Sequence, residues 1–189
     1  MSADASDLFK PFELGGMTLP NRIVMAPLSR NRVIRGSDAA NELMAQHYRQ
    51  RASAGLLISE GSQISRQGQG YAWTPGIHSQ AQVDGWRKVT TAVHAAGGRI
   101  VIQLWHVGRI SHKSLQPNQG YPVAPSAITA DAKTFLETGF APVSEPRALD
   151  TGEIAGIVND FRIAAENAKA AGFDGAEINA QMAIWLSSS

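Results

Sequence analysis

Short apolar runs alternate with longer stretches of helical period along this chain. RIVMA (residues 22–26), LLIS (56–59), the β-branched RIVIQL (99–104) and GAEI (175–178) are the strand candidates. The third alternates only weakly, as expected of a parallel strand covered on both faces, and the first is likewise expected to be buried. Between these runs the period changes. Residues 41–54 place Leu43, Met44, His47, Tyr48 and Arg51 at helical spacing, and residues 83–96 put Trp86, Val89, Thr90 and Val93 on one face before Gly97-Gly98 ends the helix. A third helix opens on Asp150 with Glu153 three positions on, a capping-box pattern, and its apolar side is Ile154, Ile157, Val158, Phe161, Ile163, Ala164 and Ala165. Ahead of the first strand, residues 10–19 form two extended pieces about Gly15-Gly16, a hairpin expected to lid one end of the fold. This order predicts an α/β fold with a parallel sheet and right-handed crossovers. Residues 112–149 show little period, and a connection that long is expected to be functional.

Composition narrows the class. With 189 residues, 43% of them apolar, the chain can bury a substantial core and is not a disordered segment. A formal net charge of +1 without blocks of like charge gives no reason to expect nucleic acid or a membrane as partner. The absence of cysteine excludes disulfide and thiolate chemistry and suits a reducing compartment. MSADASDLFKPFEL carries acids where a signal peptide needs basic residues, and no run reaches the roughly 18 apolar residues of a membrane span, so a cytoplasmic location is expected. His47, His94 and His112 have no metal-ligand spacing, and no metal is expected.

The candidate chemistry lies where the third strand ends, because Gln103, Trp105 and His106 emerge at its carboxyl end, the edge at which α/β folds bind ligands. LPNRIVMAPLSRNR, ISEGSQIS, QGYAWTPGIH, VIQLWHVGRISH and AGFDGAEI, in this order, resemble the amino-terminal half of the Old Yellow Enzyme family of FMN-dependent ene-reductases. The resemblance implies a (β/α)8 TIM barrel, with FMN at the carboxyl ends of the strands. In that family FMN is reduced by NAD(P)H and reoxidised by a small electron-poor alkene conjugated to a carbonyl or nitro group. Such a barrel takes about 250 residues. Residues 1–178 are therefore expected to be its first four strands with an N-terminal hairpin, a truncated half-barrel.

Several residues match family positions. Ala26, Pro27, Leu28 and Ser29 match the segment whose backbone lies against the isoalloxazine and whose hydroxyl meets the flavin near O4, where a hydrogen bond tunes the ring. Gly61 matches a point where main chain approaches the cofactor; read alone, it is a turn glycine. Gln103 matches the amide that pairs with the flavin pyrimidine edge, which needs a donor and an acceptor; read alone, it caps a loop. Tyr71 and Trp105 match residues shaping the substrate pocket, or are plain core aromatics. His106 and Arg109 belong to the same signature and are expected to be structural.

The pattern departs at the fourth strand. Relatives leave it through His, two small residues, Asn or His, then Gly-Tyr; the first and fourth residues hold the substrate carbonyl and the Tyr protonates the α-carbon. Here those two positions hold Asn179, which can donate a hydrogen bond, and Met182, which cannot, and the Tyr is absent. The tail 179–189, NAQMAIWLSSS, reads as a frameshift product. Written as CAA ATG GCT ATC TGG TTG AGC AGT TCC, its last nine codons shifted by one base encode Asn-Gly-Tyr-Leu-Val-Glu-Gln-Phe, the family's continuation. Sequencing the gene tests this hypothesis, which fails if no overlapping frame resumes the motif. Two functions follow: an FMN-dependent oxidoreductase, or a non-catalytic half-barrel, inactive or pairing its exposed edges in a homo-oligomer.

Overall fold

The computed structural model describes residues 5–179. Residues 180–189, which carry Met182 and the frameshift reading, lie outside the described residues. After a short 3-10 helix (Ala5–Phe9) comes the predicted hairpin, in which β1 (Phe12–Leu14) pairs antiparallel with β2 (Met17–Leu19). Gly15 turns between them at φ +59°, where a Cβ would be strained. β3 (Val24–Met25) follows, then α1 (Glu42–Arg49), started by the Asn41 side chain accepting from the Met44 N–H. β4 (Leu56–Gln63) leads to α2 (Gln80–Ala95), whose Ser79 and Gln82 form a reciprocal capping box. After β5 (Ile100–Trp105) the long connection holds β6 (Val123–Ala124), β7 (Lys133–Leu136), β8 (Gly139–Pro142) and β9 (Arg147–Ala148). α3 (Thr151–Ala170), with the expected Asp150 and Glu153 capping box, and β10 (Gly175–Ile178) complete the order.

The main sheet runs β10-β5-β4-β3 and all its pairs are parallel. Strand order therefore follows chain order without the reversal that marks a doubly wound sheet. The helices, moreover, share one face. Met44, Tyr48, Val83, Trp86, Val93, Ala164 and Ala168 pack in one cluster with Leu57, Ile100, Ile102 and Leu104. The opposite face carries Leu56 and Val101 against Leu19 of the hairpin, which closes the amino-terminal end of the sheet. One-sided helices on a sequentially ordered parallel sheet are the winding of a (β/α)8 barrel, here through four strands.

Several expectations need correction. The run at residues 22–26 is not a buried strand: only two residues pair, and Val24 is 48% exposed, because the outer edge of β3 has no neighbour among the described residues. The predicted second strand stops at Ser59, whereas β4 continues to Gln63, its polar end satisfied by tertiary partners. On α3, Ile154 and Val158 are exposed; Ala164 and Ala168 do the packing, with Ile157 and Phe161 beside them. The connection 112–149 is structured, with a β7/β8 hairpin and a short parallel β6/β9 pair. No helix among the described residues is long and apolar enough to cross a membrane.

Candidate active site

The carboxyl ends of β3, β4, β5 and β10 lie along one edge, and sheet register decides which residues meet there. Gly61 of β4, Gln103 of β5 and Glu177 of β10 sit side by side across three strands. The Gln103 side-chain amide donates to Glu177 at 3.3 Å, and its backbone N–H donates to Ser59 Oγ at 3.2 Å. Gln103 thus bonds to a neighbouring strand and does not cap a loop. Asn179 follows β10, its backbone N–H donating to the Leu104 carbonyl at 2.9 Å.

A bulge in β4 sets the two faces of this edge. Pairing with β5 shifts between Ile58 and Gly61, so Glu60 turns toward the helices while Gly61 turns inward. Gly61 is consequently a strand residue, not a turn glycine. A Cβ there would lie 2.6 Å from the Trp105 indole, and this contact explains the glycine. Gly61→Ala should displace that indole and cost about 1–3 kcal/mol in urea denaturation, as overpacking does; an unchanged midpoint and unchanged tryptophan emission would contradict this.

Trp105, 6% exposed, stacks on Tyr71 with ring centroids 5.9 Å apart. Both line a cleft of about 510 Å³ with Ser29, Arg32, Trp73, Phe135 and Phe140. The β7/β8 hairpin supplies the last two, Phe140 lying against Phe135 at 5.3 Å and Phe135 against Trp73 at 5.6 Å. Its place is fixed because Ala72 N–H donates to the Phe135 carbonyl and Thr134 Oγ1 donates to the Gly70 carbonyl. Arg35 covers the other side of Trp73 at 4.4 Å. A second cleft of about 310 Å³ lies outside α1 between Arg30, Leu43, His47 and Gln50, away from the sheet face that carries Gln103.

The structure therefore brings Ser29, Tyr71 and Trp105 into one cleft, with Gly61 packed against Trp105 and Gln103 two residues before it. Ala26 and Leu28 are exposed and Pro27 half-buried, leading from β3 toward Ser29. Trp73, Phe135 and Phe140 carried no sequence expectation; the alternation in KTFLETGFAP around Gly139 was the available signal. Among the described residues, two buried polar atoms on the strands of this edge have no hydrogen-bond partner, Trp105 Nε1 and Glu177 Oε2. Such atoms are costly unless something else meets them.

His106 and Arg109 hold the surroundings. His106, 3% exposed, accepts from Gly108 N–H at Nδ1, and burial lowers its pKa to about 4. Arg109 donates to the Ile128 carbonyl at 3.0 Å and to Ser126 Oγ at 3.1 Å, tying down the long connection. Behind the sheet Glu60, 1% exposed, accepts from Tyr48 O–H at 3.2 Å and from the Arg30 backbone N–H at 3.0 Å. Burial raises the Glu60 carboxyl to about 7 against those two hydrogen bonds.

A sequentially wound parallel sheet with its site at the strand ends defines the amino-terminal half of a (β/α)8-barrel protein. The profile of the NADH:flavin oxidoreductase / NADH oxidase family matches residues 7–183, and the chain belongs to this family of oxidoreductases, which includes Old Yellow Enzyme. It is 43% identical over 176 residues to 12-oxophytodienoate reductase 7 of Oryza sativa subsp. japonica, covering 91% of this chain and 44% of that protein. A chanoclavine-I aldehyde reductase of Penicillium roqueforti is 44% identical over 179 residues, with 92% and 45% covered. Among solved structures, morphinone reductase in complex with tetrahydroNAD superposes with a TM-score of 0.86 at 51% identity, covering 90% of this chain and 48% of that one. The Old Yellow Enzyme homologue from Zymomonas mobilis gives 0.87 at 46%, with 91% and 48% covered. The chain spans about half the length of the relatives it matches.

Proposed function

We propose that this chain forms the flavin-facing wall of an FMN-dependent ene-reductase, which passes hydride from NAD(P)H to the C=C bond of an α,β-unsaturated carbonyl or nitro compound. The observation that most supports this is the strand-end edge itself: a carboxamide at Gln103, a glycine at Gly61, and the Tyr71 and Trp105 stack, whose indole N–H has no partner among the described residues. FMN supplies the hydride chemistry when bound. Gln103 fits its pyrimidine edge because a carboxamide both accepts from an imide N–H and donates to a carbonyl. Ser29 would donate to the ring near O4, while Ala26, Pro27, Leu28 and Gly61 present main chain to it. Tyr71 and Trp105 would bound the alkene pocket, and the Asn179 amide would donate to the substrate carbonyl, withdrawing electrons from the double bond. The partner is a small molecule and the setting cytoplasmic.

A visible spectrum of the chain mixed with FMN and then desalted, followed by NADPH, tests this. A retained flavin band that bleaches is expected. Loss of all flavin would sink the reading for this chain. Gln103→Ala should weaken retention about tenfold, the worth of one or two hydrogen bonds. The free outer edges of β3 and β10, among the described residues, favour a second reading, a non-catalytic half-barrel that pairs those edges with another chain. That reading predicts an assembled species without flavin in size-exclusion chromatography.

A further inference from the structure

Residues 27–33 leave β3 and carry Ser29 into the cleft without one backbone-to-backbone hydrogen bond among the described residues. What holds them is side chains. Asn31 Nδ2 donates to the Ala72 carbonyl at 2.6 Å, Asn41 Nδ2 donates to the Arg32 carbonyl at 2.6 Å, and the Arg30 N–H donates to Glu60 Oε2 at 3.0 Å. Of these anchors only Glu60 is fully buried, reaches the residue next to Ser29 and changes charge.

Its surroundings are unusual for a carboxylate. No ion pair among the described residues involves Glu60. The Arg30 guanidinium turns away to His47, its Nη1 lying 2.6 and 2.7 Å from the two ring nitrogens. An apolar residue would pack in this position at lower desolvation cost, but it would leave the Arg30 N–H and the Tyr48 hydroxyl without their acceptor. The β4 bulge is what aims Glu60 at α1 while Gly61, one residue on, faces the site.

We propose that Glu60 is a positioning residue: its carboxylate, clamped between the Tyr48 hydroxyl of α1 and the Arg30 backbone N–H, fixes the strand exit that presents Ser29 to the site. The flavin consequence rests on the function proposed above; the clamp does not. The ionised carboxylate suits the hydrogen bonds. Tyr48 oxygen already accepts from the Glu60 N–H at 2.9 Å while its own proton goes to Oε1. A neutral carboxyl keeps only one good acceptor oxygen for the two donors, Tyr48 O–H and Arg30 N–H, so protonation weakens the clamp. The groups facing Glu60 are Tyr48 from α1 and Arg30 from the strand exit, with His47 and Arg51 beyond Arg30 on the α1 side. Burial and Arg30 keep His47 neutral down to about pH 4, and Tyr48 stays protonated, so Glu60 is the group here that titrates near neutrality.

The test follows the Arg30 amide by NMR hydrogen exchange across pH 5.5 to 8.5, corrected for its intrinsic rate, in the full chain and in Glu60→Ala, Glu60→Gln and Tyr48→Phe. The full chain should lose protection severalfold as pH falls through neutrality. Glu60→Ala should lose it about tenfold at every pH, Tyr48→Phe should shift the midpoint, and Glu60→Gln should keep partial protection with no pH dependence. Equal protection in the full chain and Glu60→Ala, or a pH step surviving in Glu60→Gln, overturns the clamp. If Glu60→Ala does not fold, the pH step of the full chain and its loss in Glu60→Gln decide. FMN titration separates the layers. A full chain that takes no flavin refutes the proposed function while Arg30 exchange still decides the clamp. Equal flavin affinity and spectrum in the full chain and Glu60→Ala refute the positioning role and leave the function standing.

Discussion

Trp86→Ala should lower the stability of this chain by about 3–5 kcal/mol, the range for truncating a fully buried aromatic. Trp86 is 0% exposed and sits where α2 meets its neighbours, its ring 5.3 Å from Phe173 and 6.2 Å from Tyr48. It is also a hydrogen-bond donor, from Nε1 to the Gly76 carbonyl at 3.0 Å. Alanine therefore opens a cavity and strands a buried carbonyl together. Trp86→Phe separates the two losses: it retains most of the volume and should cost about 1–3 kcal/mol, the worth of an unmet buried acceptor. Urea denaturation measures both. A cost below about 1 kcal/mol for the alanine variant would mean that α1, α2 and α3 do not share one core, against the range for such truncations.

Glu60 should give stability a pH dependence of unusual sign. In the folded chain its carboxyl keeps a proton up to pH about 7, whereas its ordinary value is 4.5. Folding thus favours proton uptake between these limits, so this contribution is full below pH 4.5 and is lost as pH rises through 7. A gap of that size corresponds to about 3 kcal/mol. Glu60→Gln removes the titration, so the stability of the variant relative to the parent should rise by up to that amount between pH 4.5 and 7. His106 and His47, both lowered to about 4 by burial, act oppositely, losing stability as pH falls from 6.5. They are common to both proteins and cancel in the difference. A parent-to-variant difference that is flat with pH would show that Glu60 is ionised throughout.

Much of the fold was legible because its signals are local. The Ser79 and Asp150 caps, the Gly15-Gly16 turn and the Val and Ile run of β5 each declare themselves within a few residues. Where the structure departs from the sequence reading, the deciding partner is distant. ISEGSQ reads as a strand running into a polar loop, yet β4 persists because Ser59 meets the Gln103 N–H, Glu60 meets Tyr48, and Gln63 donates to the Thr74 carbonyl. The β7/β8 hairpin hid among Pro, Gly and Asn because its strands are four residues each. Ser29, Gly61, Gln103, Tyr71 and Trp105 were legible as a set only through family motifs. Glu60 escaped notice because a carboxylate at a strand end looks like surface until the bulge turns it toward α1.

For anyone diversifying this pocket, the bulge rewrites the choice of codons to randomise. A library built on simple alternation from Leu56 would vary Leu56, Ile58, Glu60 and Ser62 as one face, and so spend half its positions on the helix side of β4, Glu60 with its contact to Tyr48 among them. The inward series instead runs Leu56, Ile58, Gly61 and Gln63, in line with Val101, Gln103 and Trp105 of the adjacent strand. Varying Gly61 together with Trp105, a bulky residue exchanged for a small one across the pair, would reshape the cleft while leaving the helix layer untouched.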